Sequence, residues 1–187
     1  MRGFGGLRVA CRAAFALIAG ASATFAVQPA AAEVLANAKS IELNVHGRIA
    51  QHCAMGSIGD MDFGDITRPN LSASAHVALD CNVPFTIKIE AANGGLTNAE
   101  HPGGQGPYAG MLPYTVDLSI PVRKPEAAHV ERSFASRELL AGRTLSSDGG
   151  IAQDGMGLTV ALGRPGSDAG LLAGNYGEAI VITVTPI

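Results

Sequence analysis

The sequence predicts an all-β fold: an antiparallel sandwich with about six or seven short strands, a count in the immunoglobulin-like range. Three observations carry this. Branched and aromatic residues alternate with polar ones in several short runs, the period-two pattern of a half-buried strand. Glycine and proline, 24 and 10 of the 187 residues, fall between those runs and punctuate them. No long helical period follows the N-terminal apolar stretch, which leaves no material for the helices of an α/β fold.

Residues 1–32 read as a cleaved signal peptide. Arg2, Arg8 and Arg12 form a basic leader, Ala14–Val27 an apolar core, and Ala30-Ala31-Ala32 an A-x-A cleavage site before Glu33. The apolar run is shorter than the ~20 residues of a spanning helix. Removing this segment takes away three arginines and no acid. The 13 basic and 16 acidic residues become 10 and 16, so the formal charge moves from -3 to -6. An acidic exported domain without a basic patch has no electrostatic reason to bind nucleic acid. Cys11 leaves with the leader. Cys53 and Cys81 remain as an even pair in an oxidising compartment, and a disulfide between them is expected.

The next stretch, residues 33–50, opens polar and alanine-rich. It then alternates: Ile41, Leu43, Val45, Gly47 and Ile49 on one face, Glu42, Asn44, His46, Arg48 and Ala50 on the other. Gly47 on the apolar face suggests close approach by another backbone or side chain. Within residues 51–187, Met61-Asp62-Phe63-Gly64 is a turn-rich segment with one aromatic for the core. Val77 and Leu79 precede Cys81, while Phe85, Ile87 and Ile89 follow it after Pro84, which is placed where its missing N–H costs little. A glycine-rich loop runs from Asn98 to Gly110. Alternation resumes at Leu112, Tyr114, Val116, Leu118 and Ile120, and again at Leu158, Val160 and Leu162. Arg123–Gly155 is less legible: Arg132–Arg137 and Glu138-Leu139-Leu140 allow a helical turn, but its glycines favour loops and short edges. After Gly163-Arg164-Pro165, the closing strand sets Ile180, Ile182 and Val184 on one face and Val181, Thr183 and Thr185 on the other. Such a strand must enter a sheet or leave an unpaired edge that invites another chain.

No catalytic constellation emerges. The five histidines are scattered without ligand spacing, Ser167 in PGSDAG misses a nucleophile elbow, and Asp60, Asp62 and Asp65 lack the spacing of a calcium loop. Asp62-Phe63-Gly64 has none of the other kinase motifs. Gly103-Gly104-Gln105-Gly106 is followed by neither a lysine nor a helix, as a phosphate cradle would require. The expectation is no catalytic residue, no metal and no cofactor.

IELNVHGRIAQHC, Phe63-Gly64, LDCNVPFTIKIEAANGG, LPYTVDL and ALGRPG…LLAGNYGEAIVITVTPI, in that order, resemble the spore coat protein U domain. That family includes the subunits of Csu-type (archaic) chaperone–usher pili. The resemblance covers most of residues 33–187 and is most specific at its close, a glycine-arginine-proline step followed by A-G-x-Y before the last strand. It implies an incomplete Ig-like sandwich completed by donor-strand exchange. The donor strand would be Ile41, Leu43, Val45, Gly47 and Ile49, and the acceptor residues Ile180, Ile182 and Val184. It also implies a structural pilus subunit at the cell surface. The implied partners are a periplasmic chaperone, an outer-membrane usher and neighbouring subunits. The chain departs from the family in ending on Pro186-Ile187 rather than an aromatic, and in lacking an aromatic that the family would place within Arg123–Gly155, where Phe134 is the one aromatic present. Two other classes stay open: a self-complete secreted sandwich whose residues 41–49 pair with its own last strand, and an enzyme or small-molecule binder.

Overall fold

The structure is a computed structural model that describes residues 40–187. The expected signal peptide, 1–32, and the first residues of the 33–50 segment lie outside the described residues. The chain divides into two units, Met1–His46 and Gly47–Ile187. In the first, the described residues 40–46 carry no regular structure and are exposed.

The second unit is built from antiparallel strands. β1 (Cys53–Met55) pairs with β3 (Leu79–Cys81), placing Cys53 directly opposite Cys81, and the two cysteines form a disulfide. Closing 28 residues with that bond disfavours the unfolded chain by about 3–4 kcal/mol in the loop-entropy account. A four-stranded sheet has the order β2-β10-β7-β8, from β2 (Ser72–Val77), β10 (Met156–Leu162), β7 (Tyr114–Lys124) and β8 (Glu126–Ala135). A three-stranded sheet has the order β12-β4-β9, from β12 (Ile180–Pro186), β4 (Phe85–Ala91) and β9 (Arg143–Ser146). A small third sheet joins β11 (Tyr176–Gly177), β5 (Leu96–Asn98) and β6 (Met111–Leu112).

One core connects these sheets. Phe85, Ile87 and Ile89 of β4 are fully buried and share a cluster with Val116, Leu118 and Ile120 of β7, Leu158 and Val160 of β10, and Leu139. Each such side chain contributes ~1.5–3 kcal/mol on leaving water. Met61 and Phe63 pack against the edge of this cluster, so the aromatic expected to plug the core does so.

Two expectations need correction. The region 123–155 holds a short edge strand, β9, and a loop after it, as expected, but it also holds a long strand: β8 pairs with β7 without interruption from Thr115↔Ala135 to Lys124↔Glu126. A 3₁₀ turn at Ser136–Ala141 then buries Leu139. The row of β8 facing the core reads Ala128, Val130, Arg132, Phe134, because Arg132 lies opposite buried Leu118. That charge interrupts the apolar alternation and hides the strand. The other correction concerns residues 41–49, whose pattern predicts a strand; none forms there. A period-two pattern becomes a ladder only with a partner.

Candidate functional site

β12 is one edge of its three-stranded sheet, β9 being the other, and among the described residues it pairs only with β4. The register runs from Ile180↔Ala91 to Pro186↔Phe85. Flanking hydrogen bonds fix which backbone groups face β4: Ala92 N–H donates to the Ala179 carbonyl and Ile187 N–H to the Pro84 carbonyl. Hydrogen-bonded pairs alternate along an antiparallel ladder. Val181, Thr183 and Thr185 therefore bond to β4, while Ile180, Ile182 and Val184 direct their N–H and C=O groups away from it. Pro186 falls in this second set, so its missing N–H removes no bond from the β4–β12 ladder.

The same three residues are the expected acceptor residues. Their side chains lie on the face of Ala91, Ile89 and Ile87, yet Ile180, Ile182 and Val184 are only half-buried at the margin of the core. Val181, on the opposite face, is 56% exposed. The edge carries no charged side chain between Ile180 and Ile187.

A second element is the alternating segment. Ile41, Leu43, Val45 and Ile49 are between 81% and 93% exposed. A side chain added at Gly47 would meet open space, so the close approach suggested by that glycine is not found within the described residues. The root of the segment is held firmly. Asn82 donates from Nδ2 to the Ala50 carbonyl, accepts the His52 N–H at Oδ1, and donates its own N–H to the His52 carbonyl. Two residues on, Pro84 receives the Ile187 N–H. The root and the end of β12 thus attach to one short connection, Asn82–Pro84.

The start of β12 is fixed by Glu178. Its carboxylate accepts the backbone N–H groups of Asn93, Gly95 and Ala179, and the side-chain amide of Asn93. These bonds tie the β4–β5 connection to the beginning of the strand. Nearby Tyr114 is buried with its hydroxyl unpartnered among the described residues. Burial first, and the Glu178 carboxylate second, push its ionisation well above the ordinary tyrosine range.

Asn82 and Glu178 were not among the residues expected from sequence. Each acts through one side chain on local backbone, which leaves no periodic signal. Among the described residues, no group of three or more His, Cys, Asp or Glu is placed to hold a metal ion. No protein-family model matches the chain, and no curated protein matches it either.

Proposed function

We propose that the chain is a structural subunit that polymerises head to tail, each copy laying its alternating segment, Ile41 to Ile49, along the open β12 edge of the next. The domain is then an incomplete Ig-like sandwich completed by donor-strand exchange, and Ile180, Ile182 and Val184 are its acceptor residues. The observation that carries this reading is the direction of the chain. Residues 41–52 run toward a root anchored at Asn82, beside the end of β12. Laid along its own β12, the segment would run parallel to it. An antiparallel pairing, which gives better-aligned hydrogen bonds, requires another copy. The neighbour's root then lies at the Ile180 end, so the contact is heterologous and open and propagates into a fibre.

The magnitudes are adequate. Four large donor side chains bring ~1.5–3 kcal/mol each when buried, and each new backbone hydrogen bond adds ~0.5–1.5 kcal/mol. Ordering the segment subtracts from this gross sum. Strand addition to an exposed sheet edge is an established way of joining proteins. The resemblance to archaic pilus subunits supplies the setting: export through the periplasm, capture of the open edge by a chaperone, assembly at an outer-membrane usher, and a fibre at the cell surface.

The test uses protein purified from an oxidising periplasm and run unboiled on a detergent gel, beside a chain lacking residues 33–49. Polymerisation predicts a heat-sensitive ladder that disappears in the truncated chain. A monomer from both the full and the truncated chain, with the truncated one unfolded, would instead mark a self-complete sandwich.

A further inference from the structure

The end of the domain where β10 finishes and β7 begins carries loops that the polymer reading does not use. Gly163-Arg164-Pro165, which opens the closing motif of the sequence, belongs to the loop that runs from Gly163 to Leu171. This loop lines two cavities, one of about 520 Å³ with Arg68, Leu162, Arg164 and Leu171 among its lining residues, and one of about 350 Å³ with Tyr108, Met111, Arg137 and Ser167 among its own. Both volumes are of ligand size. No residue lining either cavity belongs to β12 or β4.

These loops are stitched together. Ala109 N–H donates to the Gly170 carbonyl and Leu172 N–H to the Ala109 carbonyl. The Ser167 hydroxyl donates to the Pro107 carbonyl, and the Tyr176 hydroxyl lies 2.7 Å from the Leu172 carbonyl and 3.2 Å from that of Ala109. Buried Asn98 accepts the N–H groups of Glu100 and His101 and donates to the Ala173 carbonyl. Gly110 is required here: a Cβ would sit 2.0 Å from the His101 carbonyl oxygen. A platform ordered before a ligand arrives does not pay for ordering on binding.

Charge and shape select the ligand class. Arg68, Arg137 and Arg164 make no ion pair among the described residues. Tyr108 is 46% exposed, while its backbone is fixed by reciprocal hydrogen bonds with Gln105. The acids near these arginines are Asp60, Asp62 and Asp65, the last accepting the N–H and hydroxyl of Thr67, together with Glu100, Asp168 and Glu138, which faces Arg143. Guanidinium forks match carboxylates, and an exposed aromatic face matches the apolar face of a sugar ring. We infer that this end binds an acidic oligosaccharide, its carboxylates taken by the three arginines and one ring by Tyr108.

The probe is a trimer of galacturonate, with the uncharged galactose trimer as control, titrated into the purified protein by calorimetry at low and high salt. Saturable binding of the acidic trimer alone, weakening with salt, is expected. Arg164→Ala and Tyr108→Ala each weaken it about tenfold or more, and Asp168→Asn tightens it. Thermal unfolding of these variants, matched to the parent, separates a lost contact from a lost fold. Absence of saturable binding, equal binding of the uncharged trimer, or indifference to Arg164→Ala and Asp168→Asn in folded protein would overturn the assignment.

Discussion

Two long strands end their sheets in this domain, and they treat that position differently. β8, the edge of the four-stranded sheet, carries Glu126, His129, Glu131 and Arg132, with Arg132 on the row that faces the core. Arg132 is itself exposed, and a charge on that row of an edge strand disfavours pairing with another chain, because pairing would bury it. β12, the edge of the other sheet, reads Ile-Val-Ile-Thr-Val-Thr-Pro, with three aliphatic side chains left half-buried. One edge is defended and the other is open. The difference teaches that edges of one domain can be protected unequally, and on the polymer reading proposed above the unprotected β12 edge is the one that accepts a second strand.

The largest effect expected is on the open edge. A peptide copying residues 38–50 should bind the chain that lacks residues 33–49, and the same peptide carrying Val45→Glu should bind at least about 100-fold more weakly, since docking buries a carboxylate. Fluorescence anisotropy reads both without altering the folded domain. Equal affinities would mean that the apolar face of the segment does not enter the groove.

Next is the disulfide, which acts on the whole domain and so on both edges alike. Cys53→Ser with Cys81→Ser should lower unfolding free energy by about 3–4 kcal/mol in urea titrations, with a steeper slope because the unfolded chain is released to expand. Reductant should do the same to the parent protein.

A smaller change should convert the defended edge into a sticky one. Arg132→Val completes the apolar row of β8 and is expected to cause concentration-dependent association by light scattering, with folding stability altered by less than ~1 kcal/mol. Association that still requires residues 33–49 would count against a new edge at β8.

Smallest is Pro186→Ala. The substitution supplies an N–H on the open side of β12, and a tightening of peptide binding by ~0.5–1.5 kcal/mol is expected. Weaker binding would place that backbone group elsewhere.

The contrast between edges also explains what was legible in the sequence. β4, β10 and β12 announce themselves, because central or core-facing strands concentrate branched residues at period two. β8 was hidden by the feature that protects it, Arg132 on its inner row. The segment 41–49 shows the opposite case: it alternates as cleanly as β4, yet it forms no strand. Alternation alone does not make a strand, because a ladder forms only where a second strand pairs with it. At the candidate site, Ile180, Ile182 and Val184 were readable from alternation, whereas Asn82 and Glu178 were not. The value of those two residues lies in single hydrogen bonds to backbone, set by three-dimensional placement that spacing does not encode.

The central claim is that the even-numbered backbone groups of β12 await a second strand. Amide hydrogen exchange on the chain lacking residues 33–49 tests it residue by residue. Val181, Thr183 and Thr185 should be protected throughout, while Ile180, Ile182 and Val184 should exchange quickly and become protected when the peptide of residues 38–50 is added. Protection of Ile180, Ile182 and Val184 before the peptide is present, or no gain on its addition, would contradict the account.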